Sequence, residues 1–109
     1  MKLDPSSSVG AVPASLDETT AARVAELFRA LGDASRVRIV AALADGELNV
    51  GALAERAGIS ESAASHHLRG LRQLHLVRFR RDGRQVFYAL DDAHVVRLFR
   101  EGLDHVAHG

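Results

Sequence analysis

Apolar positions along the chain fall into helical stretches, interrupted once by an alternating stretch. From Asp17 to Leu31, Val24, Leu27, Phe28 and Leu31 follow the i, i+3, i+4, i+7 rule. Asp17 and Glu18 stand at the start, where the helix dipole favours negative charge. In a small domain such a helix is either core or dimer surface. Gly32-Asp33 breaks it and caps the next. From Ser35 to Ala44, Val37, Ile39, Val40, Leu43 and Ala44 are apolar nearly all round, which predicts a buried central helix. Arg36 and Arg38 are expected on its surface or in salt bridges. Asp45-Gly46-Glu47 reads as a turn. A short helix follows over Val50 to Ala57, which Gly58 can end in a left-handed conformation. Ser60 can cap the next helix, which runs to Leu74. Its apolar face is Ala64, Leu68, Leu71 and Leu74, and its opposite face is Ser62, Ser65, His66, Arg69 and Arg72.

From Leu76 to Leu90 the period changes to two. Val77, Phe79, Val86, Tyr88 and Leu90 alternate with Arg78, Arg80, Gln85 and Phe87, around Arg81-Asp82-Gly83-Arg84. Asp-Gly between alternating runs predicts a β-hairpin. Asp91 to about Ala107 closes the chain as a helix. Its apolar set of Val95, Val96, Leu98, Phe99, Gly102, Leu103 and Val106 is wider than one small domain can cover. A terminal helix of this kind usually pairs with its own copy, in a two-fold dimer that Gly102 would let close tightly. Residues 1–15, with Pro5, Ser6, Ser7, Ser8, Gly10 and Pro13, read as a flexible arm.

Helix, tight Gly-containing turn, helix, then an arginine-tipped hairpin is the order of a winged helix-turn-helix. Its second helix enters a DNA major groove. The predicted fold is mainly α with a β-hairpin (α+β): one domain over residues 16–109, dimerised through its N- and C-terminal helices. The bland alternative is a pair of core helices and a solvated turn.

Charge changes that picture in one respect. The formal net charge of the 109 residues is zero, which by itself argues against a nucleic-acid partner. The distribution reverses the argument. Ser62 to Leu90 holds six arginines and one acid, whereas Asp91 to Gly109 holds four acids and two arginines. A locally basic surface is what phosphate contacts need. Ser62, Ser65 and His66 are then candidates for base edges or phosphates. Arg69, Arg80, Arg81, Arg84 and Gln85 are candidates for the DNA backbone or minor groove. Ser62 and His66, at i, i+4, lack an orienting carboxylate and so do not read as a catalytic dyad; no enzyme is expected. No apolar run is long enough to span a membrane, and no secretory signal is visible. A cytoplasmic protein is expected. The chain has no cysteine, which excludes disulfides and thiolate metal sites.

A metal site must therefore use nitrogen and oxygen. The last helix offers Asp92, His94, His105 and His108. His105 and His108 share a face, and Asp92 can converge with His94 if it lies at the cap. His94 and His105 are roughly 16 Å apart along one helix, so one chain cannot close a site around an ion that holds its ligands at about 2 Å. Two antiparallel helices can. Asp92 and His94 of one subunit would meet His105 and His108 of the other, giving a four-ligand set suited to tetrahedral Zn(II) or Co(II). The alternative is four polar residues on the wet side of an exposed helix.

Over about Leu16 to His108 the chain resembles the ArsR/SmtB winged-helix repressors of bacteria. The resemblance is carried by Ala30-Leu31-Gly32-Asp33-Ala34-Ser35-Arg36-Val37-Arg38-Ile39, by Ser60-Glu61-Ser62-Ala63-Ala64-Ser65-His66-His67-Leu68, and by Leu76-Val77 leading to Arg81-Asp82-Gly83-Arg84. Asp92-Ala93-His94 with His105-Val106-Ala107-His108 is similar to the inter-subunit site of the family's zinc/cobalt sensors. Members that sense arsenic, cadmium or lead carry cysteines around the third helix, where this chain has Asn49. The resemblance also implies that nickel sensors recruit ligands from a histidine-bearing tail, whereas this chain stops at Gly109. It implies a homodimer that binds an inverted-repeat operator when apo and leaves it on binding Zn(II) or Co(II). The order of the elements, not the resemblance, suggests a backbone carbonyl near His75, at the end of the recognition helix, as the link between metal and DNA. Two other readings stand beside it: a winged-helix repressor of Ni(II) or a non-metal signal, and a dimeric interaction protein without DNA.

Overall fold

Each helix begins on a side chain placed to cap it. In the computed structural model, which describes residues 15–108, α1 (Glu18–Ala30) starts at Asp17, whose Oδ1 accepts from the Thr20 amide at 2.7 Å. Asp33 does the same for α2 (Ala34–Leu43), accepting from the Arg36 amide at 3.1 Å. Asn49 caps α3 (Val50–Ala57) through the Ala52 amide at 2.8 Å. Ser60 caps α4 (Glu61–Gln73) through the Ala63 amide at 3.0 Å. Asp92 caps α5 (Ala93–His108), accepting from the amides of His94 and Val95. Such caps stabilise by about 1 kcal/mol each. The predicted bounds therefore hold to within a residue or two. The expected arm over residues 1–15 lies, apart from Ser15, outside the described residues.

Helices α3 and α4 end in the same way. Gly58 is left-handed (φ 72°), with its amide on Glu55 O and the Ile59 amide on Ala54 O. At the end of α4 a non-glycine residue takes that place. His75 has φ 58°, its amide bonds to Arg72 O, and the Leu76 amide bonds to Leu71 O. Both are Schellman turns. The first sets the helix-turn-helix angle, and the second aims the chain into the sheet.

The sheet has three strands where the sequence predicts two. β2 (Val77–Asp82) and β3 (Gln85–Leu90) form the hairpin, and β1 (Leu48–Asn49) pairs antiparallel with β3 in the order β1-β3-β2. Two residues between a turn and a helix cap show no period, so β1 was invisible to pattern reading. The turn also differs in register. Asp82 pairs with Gln85, which leaves Gly83-Arg84 as the loop, with left-handed φ (64°) at Gly83 only. Glycine at the first central position is the arrangement of a type II′ hairpin turn.

Ile39, Val40, Leu53, Leu68 and Leu71 form the centre of the core, each under 2% exposed. They belong to α2, α3 and α4, and the sheet adds Val77 and Leu90. Helix α2 is central but not buried all round, because Val37 is exposed. It faces an open apolar groove between α1 and α5, lined by Phe28, Leu31, Val40, Leu98, Phe99 and Leu103 among others. Phe28, Leu103 and Val106 are 57%, 56% and 76% exposed, and α1 and α5 each bury a single residue, Ala30 and Val95. The two terminal helices are thus the uncovered apolar surface, as the width of the apolar face of α5 predicts; for α1 the structure favours surface over core, the two readings its pattern left open.

Candidate nucleic-acid interface and metal ligands

Helix α4 buries Ala64, Leu68 and Leu71 and exposes Ser62, Ser65, His66, Arg69 and Arg72. These five fall three or four residues apart, on one outward stripe. The wing stands beside them. Strand alternation gives it two faces, and the arginines divide between them. Phe79 packs beside Tyr88 with ring centroids 6.2 Å apart. The Arg72 guanidinium covers the Phe79 ring at 4.1 Å, and Arg81 approaches the same ring at 6.0 Å. Recognition helix and wing are thus joined through one aromatic ring carrying two cations, a contact worth about 0.5–1 kcal/mol at an exposed site.

Arg80 lies on the other face. Its Nε donates to Glu47 Oε2 at 2.9 Å and Oε1 at 3.1 Å, and its guanidinium covers Phe87 at 4.8 Å. The Arg80 side chain holds the Glu47 carboxyl below its ordinary range, and Glu47 in turn raises Arg80. Arg80 is already neutralised within the chain, so of the wing arginines expected to meet phosphate it is the one least placed to do so. Gln85 is also engaged: the Asn49 amide donates to its Oε1 at 3.2 Å. Asn49 thus caps α3 and ties it to the wing. Arg84 lies exposed at the tip. Arg72 enters the set of candidate contacts here; its spacing from Arg69 marked the face, and the ring of Phe79 fixes where it stands.

At the start of α5, His94 Nδ1 lies 3.5 Å from Asp92 Oδ1. The capping position brings these two together despite their i, i+2 spacing. The Asp92 carboxyl is held below its usual range, chiefly by the Val95 backbone amide and then by that of His94. At the far end, His108 Nδ1 lies 3.0 Å from Asp104 Oδ1 and 2.9 Å from Asp104 O. Both Asp104 oxygens are acceptors within reach of an Nδ1–H. The side chains of Asp92, His94 and His108 are more than half exposed. Among the described residues no three His, Asp or Glu side chains gather into a metal-holding group within one chain. The candidate donors are split between the two ends of α5, are all nitrogen or oxygen, and are all exposed.

Residues 33–78 match the model of the bacterial regulatory protein, arsR family. The chain is 52% identical over 92 residues to a transcriptional repressor SmtB homolog of Synechocystis, covering 84% of this chain and 68% of that protein. The chain belongs to the arsR family of bacterial regulatory proteins. It is also 42% identical over 83 residues to the cadmium resistance transcriptional regulatory protein CadC homolog of Staphylococcus aureus, over 75% of this chain and 69% of that protein. In three dimensions it is similar to the homodimeric winged helix-turn-helix DNA-binding domain of a Mycobacterium bovis protein. The TM-score is 0.73 at 32% identity, over 89% of this chain and 96% of that one. The fold is therefore a winged helix-turn-helix, and this arsR-family member is a transcription regulator rather than an enzyme. No helix among the described residues is long and apolar enough to cross a membrane.

Proposed function

We propose that this arsR-family chain is a homodimeric, metal-responsive repressor that holds operator DNA when apo and releases it on binding Zn(II) or Co(II) between subunits. The observation that carries the reading is the split donor set on α5: Asp92 with His94 at one end and His105 with His108 at the other. An antiparallel partner helix is the simplest way to unite them. The exposed apolar groove of α1 and α5 supplies the surface for that partner, and the M. bovis neighbour is itself a homodimer.

The four ligands suit a tetrahedral ion of borderline softness, and the lack of cysteine disfavours the thiophilic metals. A bound ion would supply a cross-link between subunits. The rest follows from the chain's own residues. In a dimer the two α4 helices would address successive major grooves about 34–36 Å apart. Ser62, Ser65 and His66 would meet the bases, and Arg69, Arg72, Arg81 and Arg84 the backbone. The Asp91 amide donates to Leu76 O at 3.0 Å. One residue before Asp92, the entry to α5 is therefore bonded to the segment leaving α4, next to left-handed His75. A shift of α5 against its partner has a direct backbone route to the recognition helix, and the coupling is reciprocal.

Co(II) titration of the dimer, read by visible absorption, tests the reading. Intense d–d bands at one ion per subunit, bleached by Zn(II) and lost in His105→Ala, are expected. Weak octahedral bands would remove the Zn(II)/Co(II) assignment.

A further inference from the structure

The recognition helix carries a glycine in its last turn, beside a guanidinium that reaches it from another helix. Arg36 extends from the first turn of α2 across to α4, where its guanidinium occupies the space above Gly70. A Cβ at position 70 would stand 2.7 Å from Arg36 Nη2 and 3.3 Å from its Cζ. Arg36 Nε donates to His67 Nδ1 at 3.2 Å, in a part-buried setting. Both residues line a depression between α1, α2 and α4, together with Glu26, Arg29, Asp33 and His66. The guanidinium never gives up its proton, so this bond exists only while His67 Nδ1 holds a free lone pair.

We propose that Arg36 is a positioning residue for the recognition helix and that its bond to His67 is a proton-sensitive latch. It holds α4 in register with α2 at neutral pH and opens when His67 is protonated. The proposal rests on the reading that α4 contacts DNA. A protonated His67 presents a second donor to the guanidinium instead of an acceptor. Asp33 is the nearby anion able to take it: its carboxyl is held low, first by the Arg36 backbone amide and also by the proximity of His67. Glu26 and Arg29 face the same depression from α1, and His66 lies edge-on to His67 with centroids 5.8 Å apart. The latch stands apart from the ligands on α5, so it adds a route by which acid weakens DNA binding in the metal-free protein.

The test uses the full-length apo protein in chelator and a duplex that the wild type selects from a randomised pool at neutral pH. Affinity is followed by anisotropy from about pH 8 to about pH 5.5 at fixed ionic strength. His67→Gln keeps an acceptor oxygen and cannot titrate. The wild type should lose roughly tenfold more affinity than His67→Gln over that range, the worth of one hydrogen bond to a charged group. Both proteins are compared in a His66→Gln background, because the His66 ring lies 5.8 Å from that of His67, and His75 is common to both. Arg36→Met removes the donor, keeps an aliphatic stem, and should weaken binding even at pH 8. Parallel pH profiles for wild type and His67→Gln, or wild-type affinity at pH 8 in Arg36→Met, would overturn the proposal. A wild type that selects no duplex overturns the DNA reading instead. The latch is then read alone by nitrogen NMR of the imidazoles. His67 should be protonated at Nε2 in the wild type and mixed in Arg36→Met, and a mixed wild type would overturn it.

Discussion

Arg80 and Arg81 are neighbours in sequence with opposite surroundings. Arg80 is bound to Glu47 and laid on Phe87, and Arg81 shares Phe79 with Arg72 on the side of the recognition helix. Alternation of a β-strand causes the difference. Arg81→Ala should therefore weaken duplex binding and reduce the slope of log affinity against log salt by about one unit, the signature of one lost phosphate contact. Arg80→Ala should leave that slope nearly unchanged. Salt titrations of both variants against the selected duplex check this, and equal slopes would remove the two-faced wing. Asp92 makes a second residue-scale statement. Its carboxyl is depressed, so its capping contribution is complete above its ordinary range near pH 4 and is lost as pH falls through the lower folded value. A protonated imidazole has no lone pair to give a metal. Metal affinity should thus fall below about pH 6 while Asp92 remains ionised. Affinity that stays flat between about pH 7.5 and pH 5.5 would argue against imidazole ligation.

At the scale of elements, the helix-turn-helix depends on a left-handed residue at the end of each of its helices. Gly58 takes φ 72° at no steric cost. Gly58→Ala should cost about 1 kcal/mol in urea unfolding, with no change in the slope of the transition. His75 takes φ 58° as a non-glycine residue. His75→Gly should be neutral or stabilising by a few tenths of a kcal/mol, because relief of strain offsets the entropy of glycine. A large loss in His75→Gly would mean that its side chain, not its backbone, holds the turn. Most of this scale was legible in the sequence. Caps and the C-terminal glycine are local chemistry, and Asp17, Asp33, Gly58 and Ser60 stand where that chemistry needs them. β1 was not legible, because its two residues join a sheet only once β3 lies beside them.

For the molecule as a whole, the exposed apolar groove of α1 and α5 is the surface proposed for the partner subunit. Phe28 and Leu103 are more than half exposed on one chain. Leu103→Asp should shift the protein to monomer by size-exclusion chromatography and abolish the inter-subunit Co(II) bands together. A variant that stays dimeric with its bands intact would place the partner elsewhere. The candidate site was legible only as a list of ligands. One helix holds them too far apart, and the proposed site would need a second chain to unite them.

The five helices, the hairpin, their order and the cysteine-free chemistry of the α5 side chains are local properties that the residues carry themselves. Periodicity and caps act within a few residues, and the absence of cysteine limits any metal site to nitrogen and oxygen ligands. Tertiary structure decided which arginines remain available. Glu47 binds Arg80 across 33 positions, Asn49 engages Gln85 across 36, and Arg36 reaches His67 across 31. Pairings at that separation form only when the core of α2, α3 and α4 brings the segments together, and no local pattern encodes which partner each side chain will meet.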